Sequence, residues 1–275
     1  MDRTLQDDLF NNIKFNMHKK VIEEPVDNST KLAEIFGVDE KEVSNYLNEF
    51  DNTLSKQSEK LKQENIEIHV ESPVKIAFIG DSITSDRESY MNILKRALLA
   101  EKDIHIIDAA ISGDKSDDAK MAFYTRVMKY NPDIVHILLG TNDMRKNNDP
   151  FGEPCVSLHD YRKNMEYMVR TLTAQGKKVI LSTISPIDNE GLGKRFPEDN
   201  WIYDNGDLEE VNKIICETAE KYKALLNDMS SVYAQYQTGE ILLQDGLHLN
   251  AAGQLMLAKN VMECIKKVIE MEETS

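Results

Sequence analysis

The sequence contains a serine, a histidine and an aspartate whose surroundings suit nucleophilic chemistry. Ser82 lies in IAFIGDSITSD, residues 76–86, where an apolar run ends in a short polar turn. A serine hydroxyl is a weak nucleophile until a base removes its proton, and His248 is the natural candidate for that base. Asp245 lies three residues before His248, so one turn can carry both side chains. A carboxylate there can orient the imidazole and stabilise its charged form, which predicts an acyl-transfer site.

Donors that could stabilise a developing negative charge follow two other apolar runs. Gly113 lies in ISGD, after IHIIDAA, and Asn142 lies in GTND, after DIVHILL. Attack of a serine on an ester carbonyl would create an oxyanion, which needs hydrogen-bond donors. We expect the backbone N–H groups of Ser82 and Gly113 and the side-chain amide of Asn142 to form that oxyanion hole.

Each of these residues also has an ordinary structural interpretation. Ser82 could cap the following helix, and Gly113 could only permit a tight turn. Asn142 and Asp245 are common turn residues, and His248 could be a surface histidine. The five residues nevertheless occur together, in a consistent order, at places where apolar runs end. This joint occurrence favours a catalytic site over five unrelated structural roles.

The elements that must position these residues alternate between strands and helices after Pro73. Apolar runs predict four strands and a short fifth, and the amphipathic stretches between them predict helices. Such alternation with short connections predicts a parallel sheet covered by helices on both faces. Ligands bind outside the carboxyl ends of the strands in such sheets, which is where the polar turns lie. The runs are VKIAFIG, IHIIDAAISG, DIVHILLGTND, KKVILSTISP and part of ALLNDMSSVY.

Four short blocks stand at the carboxyl ends of the predicted strands or just before the last helix. They are GDSIT at 80–84, Gly113, GTND at 140–143 and DGLHLN at 245–250. In order and placement they resemble the blocks of the SGNH hydrolases, the GDSL esterase/lipase superfamily, over roughly residues 73–270. The sequence has no GxSxG elbow, which speaks against an α/β-hydrolase. It also lacks GxGxxG and GxxxxGK(S/T) loops, which disfavours nucleotide-binding proteins with a similar sheet.

The resemblance implies a fold, a mechanism and a division of roles. The fold would be a flavodoxin-like three-layer α/β/α sandwich with a five-stranded parallel sheet. Ser82 would be the nucleophile, His248 the base and Asp245 the acidic residue of a triad. Ser82, Gly113 and Asn142 would supply the oxyanion hole. Esters would be hydrolysed through an acyl-serine intermediate, and the family needs no metal or cofactor.

The substrate class is less constrained than the chemistry. Two long connections, residues 145–157 and 188–207, could form the pocket wall, and both are polar. The second contains Trp201, the only tryptophan, which could bind substrate by stacking on a sugar or covering an acyl group, or could anchor its own loop. We therefore expect small-acyl, acetyl-type esters, with esters of carbohydrates among them. A lipase or thioesterase of the same superfamily is the alternative.

Residues 1–72 predict a helical N-terminal extension before a hydrolase domain at 73–275. Apolar positions at helical spacing indicate two helices joined by a tight turn, with Ser29 or Thr30 capping the first, Gly37 ending it and Asp39 starting the second. LAEIFGVDEKEVSNYL resembles a helix-turn-helix, so an esterase-like sensor fused to a DNA-binding module is an alternative. Its second helix, DEKEVSNYLNEF, has four acidic residues and one lysine, which disfavours phosphate contacts. A helical cap or a dimerisation element is the preferred interpretation.

Composition limits the partners and the compartment. The net charge of −15 argues against non-specific attraction to nucleic acid or to anionic lipid. The opening stretch MDRTLQDDLFNNIKF is too polar for a secretory signal, and apolar runs such as IVHILL are too short to span a bilayer. Three widely spaced cysteines, Cys155, Cys216 and Cys264, are typical of reduced thiols. We expect a cytoplasmic protein, compatible with a homo-oligomer, whose partner is a small-molecule ester rather than nucleic acid or a membrane.

Overall fold

The computed structural model describes residues 5–22, 26–98, 101, 103–195 and 199–273. Helices precede the first strand and then alternate with strands, as the sequence predicts. The strands are β1 (Val74–Gly80), β2 (Ile104–Asp108), β3 (Ile134–Leu138), β4 (Lys146–Asn147), β5 (Lys178–Ser182), β6 (Trp201–Ile202) and β7 (Leu225–Asn227). The α-helices are α1 (Leu5–Lys14), α2 (Lys19–Ile22), α3 (Ser29–Phe36), α4 (Glu40–Gln63), α5 (Ser82–Ser85), α6 (Tyr90–Ala97), α7 (Ser116–Met121), α8 (Phe123–Arg126), α9 (Leu158–Ala174), α10 (Asn189–Arg195), α11 (Asn205–Tyr222), α12 (Met229–Tyr233), α13 (Thr238–Ile241) and α14 (Ala251–Glu273). Short 3₁₀ helices lie at Met128–Tyr130 and Asn142–Met144.

Five parallel strands form the central sheet in the order β2-β1-β3-β5-β7. β3 is apolar apart from one histidine and is buried along its whole length, as expected of a strand covered on both faces. The chain leaves β1 for β2 on one side and then crosses to β3 on the other side. This reversal puts the carboxyl ends of β1 and β3 at a topological switch point, with Gly80 opposite Leu138 in the register. The observed sheet is the predicted flavodoxin-like arrangement.

Helices cover both faces of the sheet. α6 and α14 contact each other on one side, where α14 also packs against β5 and β7. α7, α9 and α11 form the other layer, with α9 and α11 packed against β5. The main hydrophobic core lies between these layers and the sheet. Within the described residues no helix has a stretch long and apolar enough to span a lipid bilayer.

The N-terminal helices were predicted correctly in kind but not in every boundary. The residue that caps α3 is Asn28, not Ser29 or Thr30, so that prediction was wrong. Asn28 has extended backbone angles and its Oδ1 accepts a hydrogen bond from the N–H of Lys31 at 2.9 Å, whereas the hydroxyls of Ser29 and Thr30 instead donate to Glu40. At the other end Gly37 has left-handed angles, which an L-residue rarely adopts, and it closes the helix as predicted. Asp39 caps α4 through the N–H of Lys41.

Helix α4 belongs to two hydrophobic cores. Its first half contributes Val43 and Phe50 to a small core shared with α1 and α3. Its second half contributes Leu61 to the main core, and the helix packs along α6 and touches α14. The charged stretch near residue 60 is therefore the end of one long helix that joins the N-terminal helices to the hydrolase fold. The predicted boundary near residue 72 stays a prediction.

Candidate active site

The turn after β1 exposes Ser82 at the edge of the sheet. β1 ends at Gly80, and Ser82 is the first residue of α5. A side chain at Gly80 would put its Cβ 2.0 Å from the Thr84 Oγ1, so only glycine permits this tight entry into the helix. Asp81 caps α5 by accepting the N–H of Ile83 at 2.9 Å. Ser82 therefore is not the cap, and its hydroxyl is left for another partner.

That partner is His248. The Ser82 Oγ lies 2.8 Å from the His248 Nε2, and the His248 Nδ1 lies 2.7 Å from the Asp245 Oδ2. Because a carboxylate can only accept, the Nδ1 carries the proton and the Nε2 can accept the serine proton. The other carboxylate oxygen of Asp245 accepts the backbone N–H groups of Leu247 and His248 at 2.9 and 3.0 Å. One short turn before α14 thus holds the acid and the imidazole in a fixed relation.

The electrostatics of the pair follow from burial and mutual attraction. Burial alone would lower the pKa of His248, but the charge and hydrogen bond of Asp245, together with the charges of Asp86 and Asp81, outweigh it and raise the pKa above the ordinary 6.5. For Asp245, burial acts to raise the pKa, whereas the charge and hydrogen bonds of His248 and two backbone N–H groups hold it below its usual range. The imidazolium form of His248 is therefore stabilised at the place where a general base must take up a proton.

The loops that carry Ser82, Gly113 and Asn142 lie side by side at the sheet edge, joined by hydrogen bonds of Asn142 to Asp81 and to Asp114. Among the described residues, neither the Ser82 nor the Gly113 backbone N–H donates to another protein group, so both are available to a ligand. Asn142 begins the 3₁₀ helix after β3, and its Nδ2 lies 3.2 Å from the Asp114 carbonyl and 3.4 Å from the Asp81 Oδ2. These contacts hold the Asn142 amide next to the Ser82 turn, and an oxyanion would take the place of the longer one, to Asp81, as acceptor of that N–H. Burial raises the pKa of Asp81 to about 6.

A second buried carboxylate ties the ends of two neighbouring loops together. Asp143 accepts hydrogen bonds from the backbone N–H of Ser116 at 3.1 Å and from its hydroxyl at 2.5 Å. Burial raises the pKa of Asp143 to about 7, although both Ser116 contacts oppose that rise. The link holds the loop that carries Gly113 against the loop that carries Asn142.

Trp201 lies in a short antiparallel pairing rather than in a free loop. β6 pairs with β4, with Trp201 opposite Asn147, so the two long connections predicted to form the pocket wall are joined. The Arg145 guanidinium stands over the half-buried Trp201 ring, 4.5 Å from its centroid. Residues 196–198 of the second connection lie outside the described residues. Binding of substrate by Trp201 stays a prediction.

One residue at the site was not anticipated from the sequence. The Phe15 ring stacks on the His248 imidazole, with centroids 4.0 Å apart and planes inclined by 24°. Phe15 comes from the N-terminal extension, between α1 and α2, where nothing in the local sequence marks it. No motif could have identified it, because the contact depends on the path of the chain between two distant segments.

Comparison with known proteins identifies a family and several relatives to which this chain is similar. The profile of the GDSL-like Lipase/Acylhydrolase family matches residues 78–255. The uncharacterized lipoprotein YqeF of Bacillus subtilis (strain 168) is 36% identical over 107 residues, covering 39% of this chain and 42% of that protein. An acetylxylan esterase of Geobacillus stearothermophilus is 26% identical over 208 residues, covering 67% of this chain and 90% of the relative.

A solved structure supports the same assignment. The crystal structure of a lipase/acylhydrolase from Enterococcus faecalis aligns with a TM-score of 0.58 and 26% identity, covering 70% of this chain and 96% of that one. The chain spans less than half the length of YqeF. The predicted family and fold are confirmed. The chain belongs to the GDSL-like lipase/acylhydrolase family, whose profile matches residues 78–255, and that part of the chain is of the carboxylic ester hydrolase class.

Proposed function

We propose that the protein is a serine esterase that hydrolyses small-acyl, acetyl-type esters, acetyl esters of carbohydrates among them. The observation that carries the proposal is the continuous hydrogen-bond chain from Asp245 through His248 to Ser82. A serine hydroxyl bonded to the Nε2 of a neutral imidazole, itself oriented by a carboxylate, has the arrangement that general-base activation needs.

In the first half-reaction, the Ser82 Oγ attacks the ester carbonyl while the His248 Nε2 takes the hydroxyl proton. The carbonyl oxygen becomes an oxyanion that accepts hydrogen bonds from the backbone N–H groups of Ser82 and Gly113 and from the Asn142 amide. The tetrahedral intermediate collapses when His248 returns the proton to the leaving alcohol, and the acyl group stays on Ser82. In the second half, water gives a proton to the His248 Nε2 and attacks the acyl carbon. When this second intermediate collapses, His248 returns the proton to the Ser82 Oγ, and the carboxylic acid leaves.

Two observations support a small acyl group and a carbohydrate alcohol. The similarity to an acetylxylan esterase extends over 67% of this chain. In addition, the connections at 145–157 and 188–207 that flank the site are polar, and they present Trp201 with Arg145 stacked on it. A polar wall with an aromatic ring suits a sugar better than a long hydrocarbon chain.

Hydrolysis of p-nitrophenyl esters of increasing acyl length tests both parts of the proposal. We expect turnover of the acetate, a steep decline towards octanoate, and labelling of Ser82 by a fluorophosphonate. Ser82→Ala should lose turnover by about 10⁴-fold or more, while Ser44→Ala, a serine on α4, should keep it. Labelling at another residue, or an active Ser82→Ala variant, would exclude this mechanism. A preference for octanoate would exclude the acyl specificity alone.

A further inference from the structure

The stacked pair of Phe15 and His248 has a mechanical consequence for the base. The hydrogen bonds to Asp245 and Ser82 engage one ring nitrogen each, and the N–H and the lone pair of an imidazole both point along the ring plane. Two in-plane contacts leave a ring free to rock about the line that joins them. A flat aromatic ring 4.0 Å from its face blocks that motion on one side and excludes water there. Phe15 is 5% exposed and His248 is 7% exposed, so the contact is closed to solvent.

Polar contacts fix the backbone on both sides of Phe15. The Ser112 hydroxyl donates to the Phe15 carbonyl, which ties this segment to the residue before Gly113. The Asn16 side-chain amide donates to the Ser85 carbonyl at 2.7 Å, at the end of α5. The segment is thus bonded to the two loops that carry the nucleophile and an oxyanion donor.

Buried charges anchor the same segment at both ends. Lys14 pairs with Asp86 and Glu88, which follow the nucleophile helix. Lys19 is fully buried, and its Nζ lies 2.8 Å from both Asp108 oxygens and 2.6 Å from the Ala110 carbonyl. Breaking a buried ion pair leaves an uncompensated charge, which is costly. These contacts therefore fix the position of residues 13–20 next to the site.

Arg87 adds a third anchor from the hydrolase side. Its guanidinium group donates to the carbonyls of Ile13 and Val26 at 2.9 and 2.7 Å, and to the Asp27 carboxylate at 2.7 Å. These contacts clamp the chain before and after Phe15. The family match begins at residue 78, so residues 13–20 lie outside the matched region.

We propose that Phe15 is a positioning residue for His248, and that residues 13–20 are consequently a part of the active site rather than a separable appendage. The inference rests on the proposed esterase function. Phe15 acts through the imidazole, which it holds against Ser82 and Asp245.

Phe15→Ala, Phe15→Leu and Phe15→Tyr test the role, with Phe10→Ala as the matched control. Phe10 lies in the same extension but stacks on Tyr46 and Phe50 in the small core. Loss of the flat ring in the alanine and leucine variants should lower kcat about 10- to 100-fold on p-nitrophenyl acetate with a smaller change in KM. The tyrosine variant should restore most of kcat, and Phe10→Ala should keep the wild-type kcat.

The rate of Ser82 labelling by a fluorophosphonate provides a second readout, and the thermal midpoint of each variant reports its folding. A folded Phe15→Leu protein with wild-type kcat and labelling rate would overturn the inference, as would an equal loss in Phe10→Ala. If the alanine variant does not fold, the leucine and tyrosine variants decide the question. Failure of the wild-type protein to be labelled would instead overturn the esterase proposal.

A separate observation concerns the charges around a surface cavity of about 530 Å³ beside Gly113. Two of the cations that line this cavity are paired, Lys115 with Asp118 and Arg126 with Asp114. Lys20 also lines the cavity, and no ion pair to it occurs among the described residues. Its Nζ lies 3.0 Å from where a Cβ on Gly113 would stand, at the edge of the oxyanion hole.

Arg145 adds a second positive charge near Lys20. Partial burial is the main reason that the pKa of the Lys20 amine is lowered and repulsion from Arg145 is the next, while the nearby Asp114 and Asp118 carboxylates oppose the shift. Within the described parts of the chain Arg145 forms no ion pair, and its guanidinium lies over Trp201. Within the described residues Lys20 is thus a cation outside any ion pair at the edge of the Gly113 loop, in a chain whose net charge is −15.

The geometry points to Lys20, beside Gly113, as a subsite for a carboxylate group on the ester substrate. Mono(4-nitrophenyl) succinate and 4-acetoxybenzoate place a carboxylate on the acyl and alcohol sides, and p-nitrophenyl acetate and phenyl acetate are their neutral counterparts. In Lys20→Met the ratio of kcat/KM for a charged ester to that for its neutral counterpart should fall about tenfold for at least one pair. Lys213→Met, an exposed lysine on α11, should keep both ratios. Unchanged ratios for both pairs in Lys20→Met would overturn the subsite.

Discussion

At the scale of single residues, each hydrogen bond of the triad determines what the next can do. The Asp245 carboxylate requires the proton to sit on the His248 Nδ1, which leaves the Nε2 as the acceptor for Ser82. The same carboxylate receives two backbone N–H groups, so its own orientation is set by the turn. The chemistry therefore depends on the direction of protons as much as on the identity of the three side chains.

Asp245→Asn tests whether Asp245 sets the tautomer of the His248 imidazole or only supplies a polar neighbour. An amide can donate to the imidazole and so favour the wrong tautomer, in which the Nε2 carries the proton and cannot accept from Ser82. Loss of tautomer control in serine-protease triads costs about 10⁴-fold in kcat. We expect a loss approaching that size on p-nitrophenyl acetate with little change in the thermal midpoint. A variant with near-wild-type kcat would show that Asp245 does not orient the base.

The pH dependence of kcat/KM should report the His248 base. His248 must be neutral to take the serine proton, and its pKa is raised, so activity should be present at high pH and fall as the pH drops through a value above 6.5. Rates on a neutral ester across the acidic and neutral range give the midpoint. In Asp245→Asn the acid-side midpoint of the residual activity should shift to lower pH, because burial without the carboxylate lowers the pKa of His248. A wild-type midpoint below 6.5 would contradict this assignment.

At the scale of elements, the turns at the strand ends convert a sheet edge into a site. Leu242 and Leu249 form an isolated β-bridge, and the residues between them include Asp245 and His248. Helix α14 begins two residues after Leu249. Gly246 has a φ of +68°, and the Asp188 N–H donates to its carbonyl at 2.8 Å. The turn that carries the acid and the base is thereby packed directly against the start of α10.

Gly246→Ala should damage both stability and activity. A Cβ there would lie 2.1 Å from the Asp188 carbonyl oxygen, and a left-handed backbone is unfavourable for alanine. We expect a loss of about 1–3 kcal/mol in the free energy of unfolding, measured by urea denaturation, together with a fall in kcat. Gly239→Ala is the control, because its added Cβ meets nothing within 4 Å and its φ is not positive. Equal behaviour of the two variants would mean that the turn tolerates rearrangement.

At the scale of the whole molecule, helix α4 belongs both to the N-terminal helices and to the hydrolase fold. α4 carries Phe50 in the small core and Leu61 in the main core. Buried contacts of Lys14, Lys19 and Arg87 add polar links between the two parts. Loss of the small core should therefore be felt in the hydrolase fold.

Phe50→Ala tests this coupling, with Phe151→Ala as the control. Phe50 is 3% exposed and Phe151 is 90% exposed. Truncating a buried phenylalanine costs about 3–5 kcal/mol, so the urea midpoint should fall for Phe50→Ala and stay unchanged for Phe151→Ala. Trp201, the only tryptophan, reports the hydrolase side by fluorescence, while circular dichroism reports all helices. Coincident, equally shifted transitions are expected, and a Trp201 transition that does not move would show that the two cores unfold separately.

Residues marked by local motifs could be predicted from the sequence, whereas residues placed by long-range contacts could not. The sequence by itself determined the family, the parallel sheet and the convergence of Ser82, Gly113 and Asn142, because residues at the carboxyl ends of parallel strands lie at one edge. Asp245 and His248 do not directly follow a strand of the sheet, and their spacing and the family resemblance associated them with the site. The sequence also indicated Gly37 and Asp39 as helix limits, because those signals are local. The cap at Asn28 was missed because Ser29 and Thr30 are equally good caps, and only their contacts with Glu40 decided among them.

Phe15 and the anchors around it were decided by the tertiary structure alone. Nothing within a few residues of Phe15 distinguishes it from Phe10, yet Phe10 packs in the small core and Phe15 packs on His248. The difference arises from the path of residues 13–20, which is set by long-range contacts of Lys14, Lys19 and Arg87. Local propensity and strand order carry no information about such contacts, because they exist only once the separate segments have packed together.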